Sequence, residues 1–368
     1  MDWDDPNEDA IPEITTRKGY VLKDVARNFL QGLSESGPVA AGKIIHFTAD
    51  LLASGGLALW QKLCWDYTYD HIGVASPRIF LFLSTRFKKM TEIFVKNTIE
   101  SFCNISEMQQ LAAEIVLILQ MCPKKTKTKM PTVPPETHEN EEWLRSVLRT
   151  TDKVAVRKVF QRNADLEPLL HAGNEMVYAI TEGATERALF WVKWLLEEDS
   201  LIRKKYGSGL TTVERGPADG KPAQRTSVGY YILFVLTEVY KEFAEKGMMR
   251  MHEEFQSLIN LYKSPDQKNS QRRKLDTIGI MIQLLTDVPK WKVPAAPSLV
   301  TDPTQLARMT GQSEMFFREI LMLPVLKKPI PSTITGLKQK KAKEPSKEAL
   351  LQKRLDMIDQ AAMSYYKI

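Results

Sequence analysis

Apolar residues recur along most of this chain at three- and four-residue intervals, the spacing that gathers them on one side of a helix. The densest case is 188–205. On a 3.6-residue wheel Leu189, Phe190, Trp191, Val192, Trp194, Leu195, Leu196, Leu201 and Ile202 cover all but a narrow stripe of Lys193, Glu197, Ser200 and Lys204. A helix apolar over so much of its circumference must be enclosed by others. The pattern therefore predicts an all-α fold with this segment at its centre.

Upstream, Val21, Val25, Phe29 and Leu33 predict a first helix, followed by helices over 44–65, 79–102 and 111–119. Ser106 and Gln109 have the spacing of a capping box for the last of these. Gly55 and Gly56 interrupt the second, and a kink or break is expected there because glycine costs about 1 kcal/mol relative to alanine inside a helix. Periodicity stops over 122–140, where Lys124, Lys125, Lys127 and Lys129 precede Pro131, Pro134 and Pro135. That stretch reads as a Lys/Pro-rich linker or long exposed loop. It divides an N-terminal helical block, 17–121, from a C-terminal one, 141–323, and two helical bundles are expected. Loops over 207–225 and 264–271 interrupt the second block, and a proline-rich connection leads to a last helix over 305–322. A loop as long as 207–225 is usually functional or mobile.

Both ends change character. Residues 1–16 carry Asp2, Asp4, Asp5, Glu8, Asp9 and Glu13 with no lysine or arginine, and with Pro6 and Pro12 they read as a disordered acidic leader. The whole chain has a formal charge of +6, so the remainder carries +12. That excess favours anionic partners such as nucleic acid, and it also suits a solvated surface. Residues 324–345 hold six lysines, one acidic residue and four prolines, a basic flexible linker. Beyond it, 346–368 forms an amphipathic helix with Leu350, Leu351, Leu355, Ile358, Ala362 and Tyr365 on one side, suited to docking on its own core or on a protein partner.

Cys64, Cys103 and Cys122 are odd in number and set among apolar residues, which argues against a disulfide framework or a zinc site and for a reducing compartment. The first residues lack the pattern of a secretory or transit signal. The longest apolar run, 228–236, is about half what a bilayer requires. An intracellular chain with no membrane association is expected.

Candidate chemistry is sparse. Glu198 and Asp199 project from the apolar arc of the central helix, where carboxylates can bind a divalent cation or serve as acid and base. The plainer reading, a pairing of Asp199 with Arg203 four residues on, is preferred because no convergent ligands are identifiable. His46, His71, His138, His171 and His252 show no metal-ligand spacing. Gly207 and Gly209 lack the Walker lysine and follow a helix, so no nucleotide fingerprint applies and no cofactor is implied. Trp60, Trp65, Trp191, Trp194, Tyr230 and Tyr231 read as core at helical spacing rather than as stacking platforms. The basic clusters are the strongest functional signal. Arg203, Lys204 and Lys205 precede a loop carrying Arg215, Lys221 and Arg225, and Arg272, Arg273 and Lys274 follow later. These nine are the candidate nucleic-acid contacts, since a phosphate backbone rewards several cations through counterion release.

Three segments carry a resemblance: Leu51-Leu52-Ala53-Ser54-Gly55-Gly56-Leu57-Ala58-Leu59-Trp60, Gly173-Asn174-Glu175-Met176, and the run 188–203 around Trp191 and Trp194. They resemble segments of uncharacterised helical proteins of large double-stranded DNA viruses of algae and protists. The likeness spans much of 17–323 and rests on packing motifs, so it transfers no catalytic or binding residue. What it implies is a viral protein inside the host cytoplasm or nucleus, or in the virion, serving virion assembly or genome handling. The residues themselves lead to a non-enzymatic helical scaffold or interaction protein that engages a protein partner through 346–368. The alternative is a DNA- or RNA-binding factor in viral replication, transcription or packaging. A metal-dependent enzyme using Glu198 and Asp199 stands third.

Overall fold

A computed structural model describes residues 14–264, 271–287, 298–300, 302–326 and 328–330. The leader 1–13, the loop 265–270, most of the proline-rich connection and everything beyond 330, including the expected helix over 346–368, lie outside the described residues. The fold is all-α. Its helices are α1 Leu22–Ser34, α2 Pro38–Ala53, α3 Leu57–Tyr67, α4 Arg78–Val95, α5 Ile99–Asn104, α6 Ser106–Met121, α7 Glu141–Val147 and α8 Val154–Val159. They continue with α9 Glu167–Thr181, α10 Thr185–Tyr206, α11 Pro222–Arg225, α12 Val228–Glu245, α13 His252–Lys263, α14 Gln271–Thr286, α15 Pro303–Gly311 and α16 Ser313–Leu321. Among the described residues β pairing is confined to two isolated bridges, Thr15 with Val21 and Asp165 with Thr211. No helix among them is long and apolar enough to cross a membrane.

The aromatic segment expected at the centre is α10. Trp191 and Trp194 are 3% and 1% exposed; α9, α12 and α14 pack on α10, and Trp143 lies against both indoles with His138 against Trp194. α9 ends at Thr181, and the chain reverses into α10 through Gly183 at φ 69°. The Asn174 and Glu175 side chains are buried. Asn174 accepts from Lys153 N at 3.0 Å and donates to Thr151 O at 2.9 Å, while Glu175 accepts from Thr150 N at 2.9 Å, so the pair binds the loop before α8.

Several local expectations change. The helix foreseen over 79–102 is two, α4 and α5, because the Thr98 hydroxyl accepts from Ser101 N at 3.2 Å and starts a new helix. Ser106 does not cap α6. It is already the first helical residue, and the Gln109 amide turns instead to Cys103 O at 2.8 Å, satisfying a carbonyl that the end of α5 leaves open. The helix foreseen over 305–322 breaks at Gln312 into α15 and α16. These two, grouped by sequence with 141–323, pack on α2, α5 and α6 of the first block. Ile14, Thr15 and Thr16, read as part of the leader, are built into the body: Leu22 N donates to Ile14 O at 2.9 Å and Thr16 is buried.

The segment 122–140 is largely exposed, as expected, but it is fastened to the body at several points. A π-helical turn, Thr68–Ile72, follows α3, and its wider winding leaves backbone acceptors over. Lys125 N and Lys127 N take two of them, His71 O at 2.9 Å and Asp70 O at 3.1 Å. The Lys127 ammonium pairs with buried Asp276 of α14, and Val133 and Thr137 are buried. The buried apolar residues form one continuous cluster running from Leu22 to Ile330.

The glycine pair breaks α2 from α3 as expected, and the reason is crowding. Gly55 has φ 81°, and a Cβ there would stand 2.8 Å from Pro329 Cβ. Beside it Ser54 Oγ accepts from Arg17 N at 2.7 Å, and Ser54 O accepts from Ile330 N at 2.9 Å. Both ends of the described chain thus close on one residue.

One turn earlier, buried Asp50 accepts from Lys18 N at 3.0 Å. Its Oδ2 lacks a well-formed partner, although the Thr16 hydroxyl is near enough to favour the carboxylate somewhat. Burial outweighs both and raises the Asp50 pKa above its ordinary value. A raised folded value means that the native state binds this proton more tightly than the unfolded chain does. The associated stability is complete below the usual carboxylate range and is lost as pH rises through the folded pKa. Asp50→Asn is expected to flatten that part of the pH profile and to be at least as stable as the parent at pH 7. Urea unfolding at pH 4 and pH 7 checks this; an Asn variant with an undiminished pH slope contradicts it.

Candidate functional site

Glu198 leads to the one candidate site that sequence and structure share. Its apolar surroundings on α10 are supplied by Trp194 one turn back, and its carboxylate is satisfied by a segment 60 residues away. His138 Nδ1 lies 2.8 Å from Glu198 Oε2, and Glu139 N donates to both Glu198 oxygens at 3.2 Å. The imidazole stacks on the Trp194 indole with centroids 5.8 Å apart and planes 13° apart. Trp194 Nε1 points to Thr137 O at 3.4 Å, and Trp143 of α7 closes the aromatic group 6.1 Å from Trp194.

His138 Nε2 in turn lies 3.4 Å from Glu197 Oε2, and Lys193 pairs with the other Glu197 oxygen at 2.8 Å. These contacts fasten residues 137–140 to α10.

The fastening holds an unusual backbone. Among the described residues Glu139 is the non-glycine residue with positive φ, at 50°. Such a conformation costs of order 1 kcal/mol and persists only where its surroundings enforce it. Here the Glu198 carboxylate holds its N–H and Lys205 pairs with its side chain. The strained turn forms one lip of a cleft of about 430 Å³ between α7, α9 and the end of α10. Its apolar floor is Ile202, half-buried, over the nearly enclosed Leu144 and Trp194, and Leu166 and Tyr206, both exposed, stand at its edge. Glu139, Glu141 and Glu167 give the rim its charge, partly offset by Arg145 on Glu141 and Lys205 on Glu139.

Asp199 faces away from Glu198. It pairs with Arg203 at 3.2 Å, as the four-residue spacing suggested, and accepts from Leu210 N at 2.8 Å. The two carboxylates do not converge, and among the described residues no group of three or more His, Cys, Asp or Glu side chains is arranged to hold a metal. The three thiols are buried, and burial pushes Cys103 and Cys122 up to about 12 and Cys64 well above its usual value. They remain protonated at neutral pH and are poor nucleophiles.

The nine basic candidates are dispersed and largely engaged. Arg203 holds Asp199 and Thr226 O, and Lys205 holds Glu139. Arg215 is buried on Asp165, and Arg225 lies 3.5 Å from Glu214. Arg272 binds Asp70 at 3.0 Å, Arg273 binds Asp66 at 3.1 Å, and Lys274 sits over the Tyr230 and Tyr262 rings. Lys204 and Lys221 are exposed. Loop 207–225 is correspondingly a built element, with Arg215 N and Gly216 N both donating to Arg225 O. Comparison of the chain with known protein families, curated proteins and solved structures returns no match.

Proposed function

We propose that this chain is a non-enzymatic helical scaffold, and that the cleft floored by Trp194 seats an amphipathic helix with basic flanks from a protein partner. The observation that carries the reading is the combination of an apolar floor, exposed apolar edges at Leu166 and Tyr206, and a glutamate rim on a strained, internally fastened turn. An apolar trough with charged margins is the usual receptor for one face of a helix, with the margins selecting partners by charge. The engagement of Arg203, Arg215, Arg225, Arg272 and Arg273 by carboxylates of the same chain weighs against the nucleic-acid alternative, because a cation already paired releases fewer counterions from DNA. A role in virion assembly or genome handling rests on the resemblance alone.

The test is selection of displayed peptides on the full chain after nuclease treatment. Enriched sequences should show apolar residues at i, i+4 and i+7 with flanking lysine or arginine. Leu166→Glu with Tyr206→Glu should abolish their capture, while Lys204→Glu leaves it intact. Enrichment of unpatterned peptides, or capture indifferent to the cleft substitutions, removes the cleft from the account.

A further inference from the structure

A second groove, of about 570 Å³, lies across the first helical block between α3, α4 and the end of α13. Trp65, Phe87 and Leu261 line it with apolar surface, and Val95 is exposed at one end. Its volume falls in the range of about 300–1,000 Å³ usual for binding sites. Lys88 and Lys96 stand on its rim, exposed and without an ion-pair partner among the described residues; Arg273 joins them while holding Asp66. Glu92 is the one acidic residue lining it. The groove is thus apolar below and cationic above.

The chain supplies a segment of matching chemistry. Residues 1–13 carry six carboxylates and no lysine or arginine, with Trp3 and Ile11 as large apolar side chains. They join the body close by. Arg17 pairs with Glu100, only four residues beyond Lys96, a separation of at most about 15 Å along the chain. From Ile14, where the described body begins, the eleven residues back to Trp3 reach as far as roughly 36 Å. The other segment leaving from this region follows Ile330, which is held on Ser54, but its first charged side chains after that point are Lys338, Lys340, Lys341 and Lys343. Those would meet Lys88 and Lys96 with like charge.

We infer that the acidic leader, residues 1–13, lies in this groove in the same molecule, with Trp3 against the Trp65–Phe87 floor and its carboxylates toward Lys88 and Lys96. The apolar surface holds the indole, and the charges set direction and exclude the basic tail.

The experiment places a benzophenone photocrosslinking residue at position 3 of the full-length chain. Irradiation should give an adduct of monomer mass, mapped by mass spectrometry to 61–65 or 88–96. Its yield should fall as salt rises from about 50 mM to about 0.5 M. Lys88→Glu with Lys96→Glu should cut the yield about tenfold, about 1.4 kcal/mol for the two exposed charge reversals together. Asp4→Lys with Asp5→Lys in the same chain should restore it, which a loss of folding would not permit. No adduct, adducts elsewhere, adducts only between two molecules, or a yield unmoved by both salt and charge reversal would each overturn the inference.

Discussion

Replacing Arg215 by alanine is expected to cost about 3–5 kcal/mol of stability, the largest single effect foreseen in this molecule. The guanidinium is 7% exposed and its partner Asp165 is 0% exposed. Arg215 reaches Asp165 at 2.5 and 3.0 Å, Thr211 Oγ1 at 2.9 Å and Val159 O at 2.9 Å, and lies over the Tyr231 ring. Alanine leaves a dry carboxylate facing nothing but the Thr211 hydroxyl and the Gln161 N–H. Removing both charges, as Asp165→Asn with Arg215→Met, should cost less than the sum of the two single changes, because the penalty is mostly that of an orphaned charge. Urea unfolding of the four proteins measures the coupling. A loss under about 1 kcal/mol for Arg215→Ala would mean that water reaches the pair.

Arg17→Met is expected to cost about 3 kcal/mol, with the damage concentrated at α16. The Arg17 side chain is 2% exposed; it donates to Leu321 O at 2.9 Å and to Leu323 O at 2.6 and 3.1 Å, and it pairs with Glu100. These are carbonyls at the end of α16, where a helix has open acceptors and a negative dipole end, so a cation there is favoured twice. Methionine keeps the packing of the stem and removes every donor. Glu100 is partly exposed and stays solvated, which limits the loss. Amide exchange over 313–323 should accelerate more than exchange in α10. Uniform acceleration, or none in α16, would show that Arg17 does not hold that helix.

How far the sequence could be read depends on whether a signal is periodic or pairwise. Periodicity around Trp191 and Trp194 identified an all-α body and its central helix, since an apolar surface that wide has no alternative to enclosure. Gly55 and Gly56 marked a real break, though the crowding by Pro329 that requires them comes from a residue 274 positions away. Pairwise commitments were invisible. Arg215 reads as a loop cation until Asp165 is seen against it, and Arg272 and Arg273 read as a basic cluster until Asp70 and Asp66 meet them. Glu198 was conspicuous as a carboxylate on an apolar arc, yet nothing in spacing could select His138 as its partner. In 122–140 the lysines are mostly exposed, as they look, but spacing could not show that the backbone N–H groups of Lys125 and Lys127 are taken up by a π-helical turn.

The closure at Ser54 has a mechanical consequence. With one end of the described body donated to its hydroxyl and the other to its carbonyl, and with Arg17 also gripping Leu321 O and Leu323 O, those two ends are tied to each other. Loosening 15–18 should therefore loosen 321–330 as well, so the two ends of that body are expected to open together.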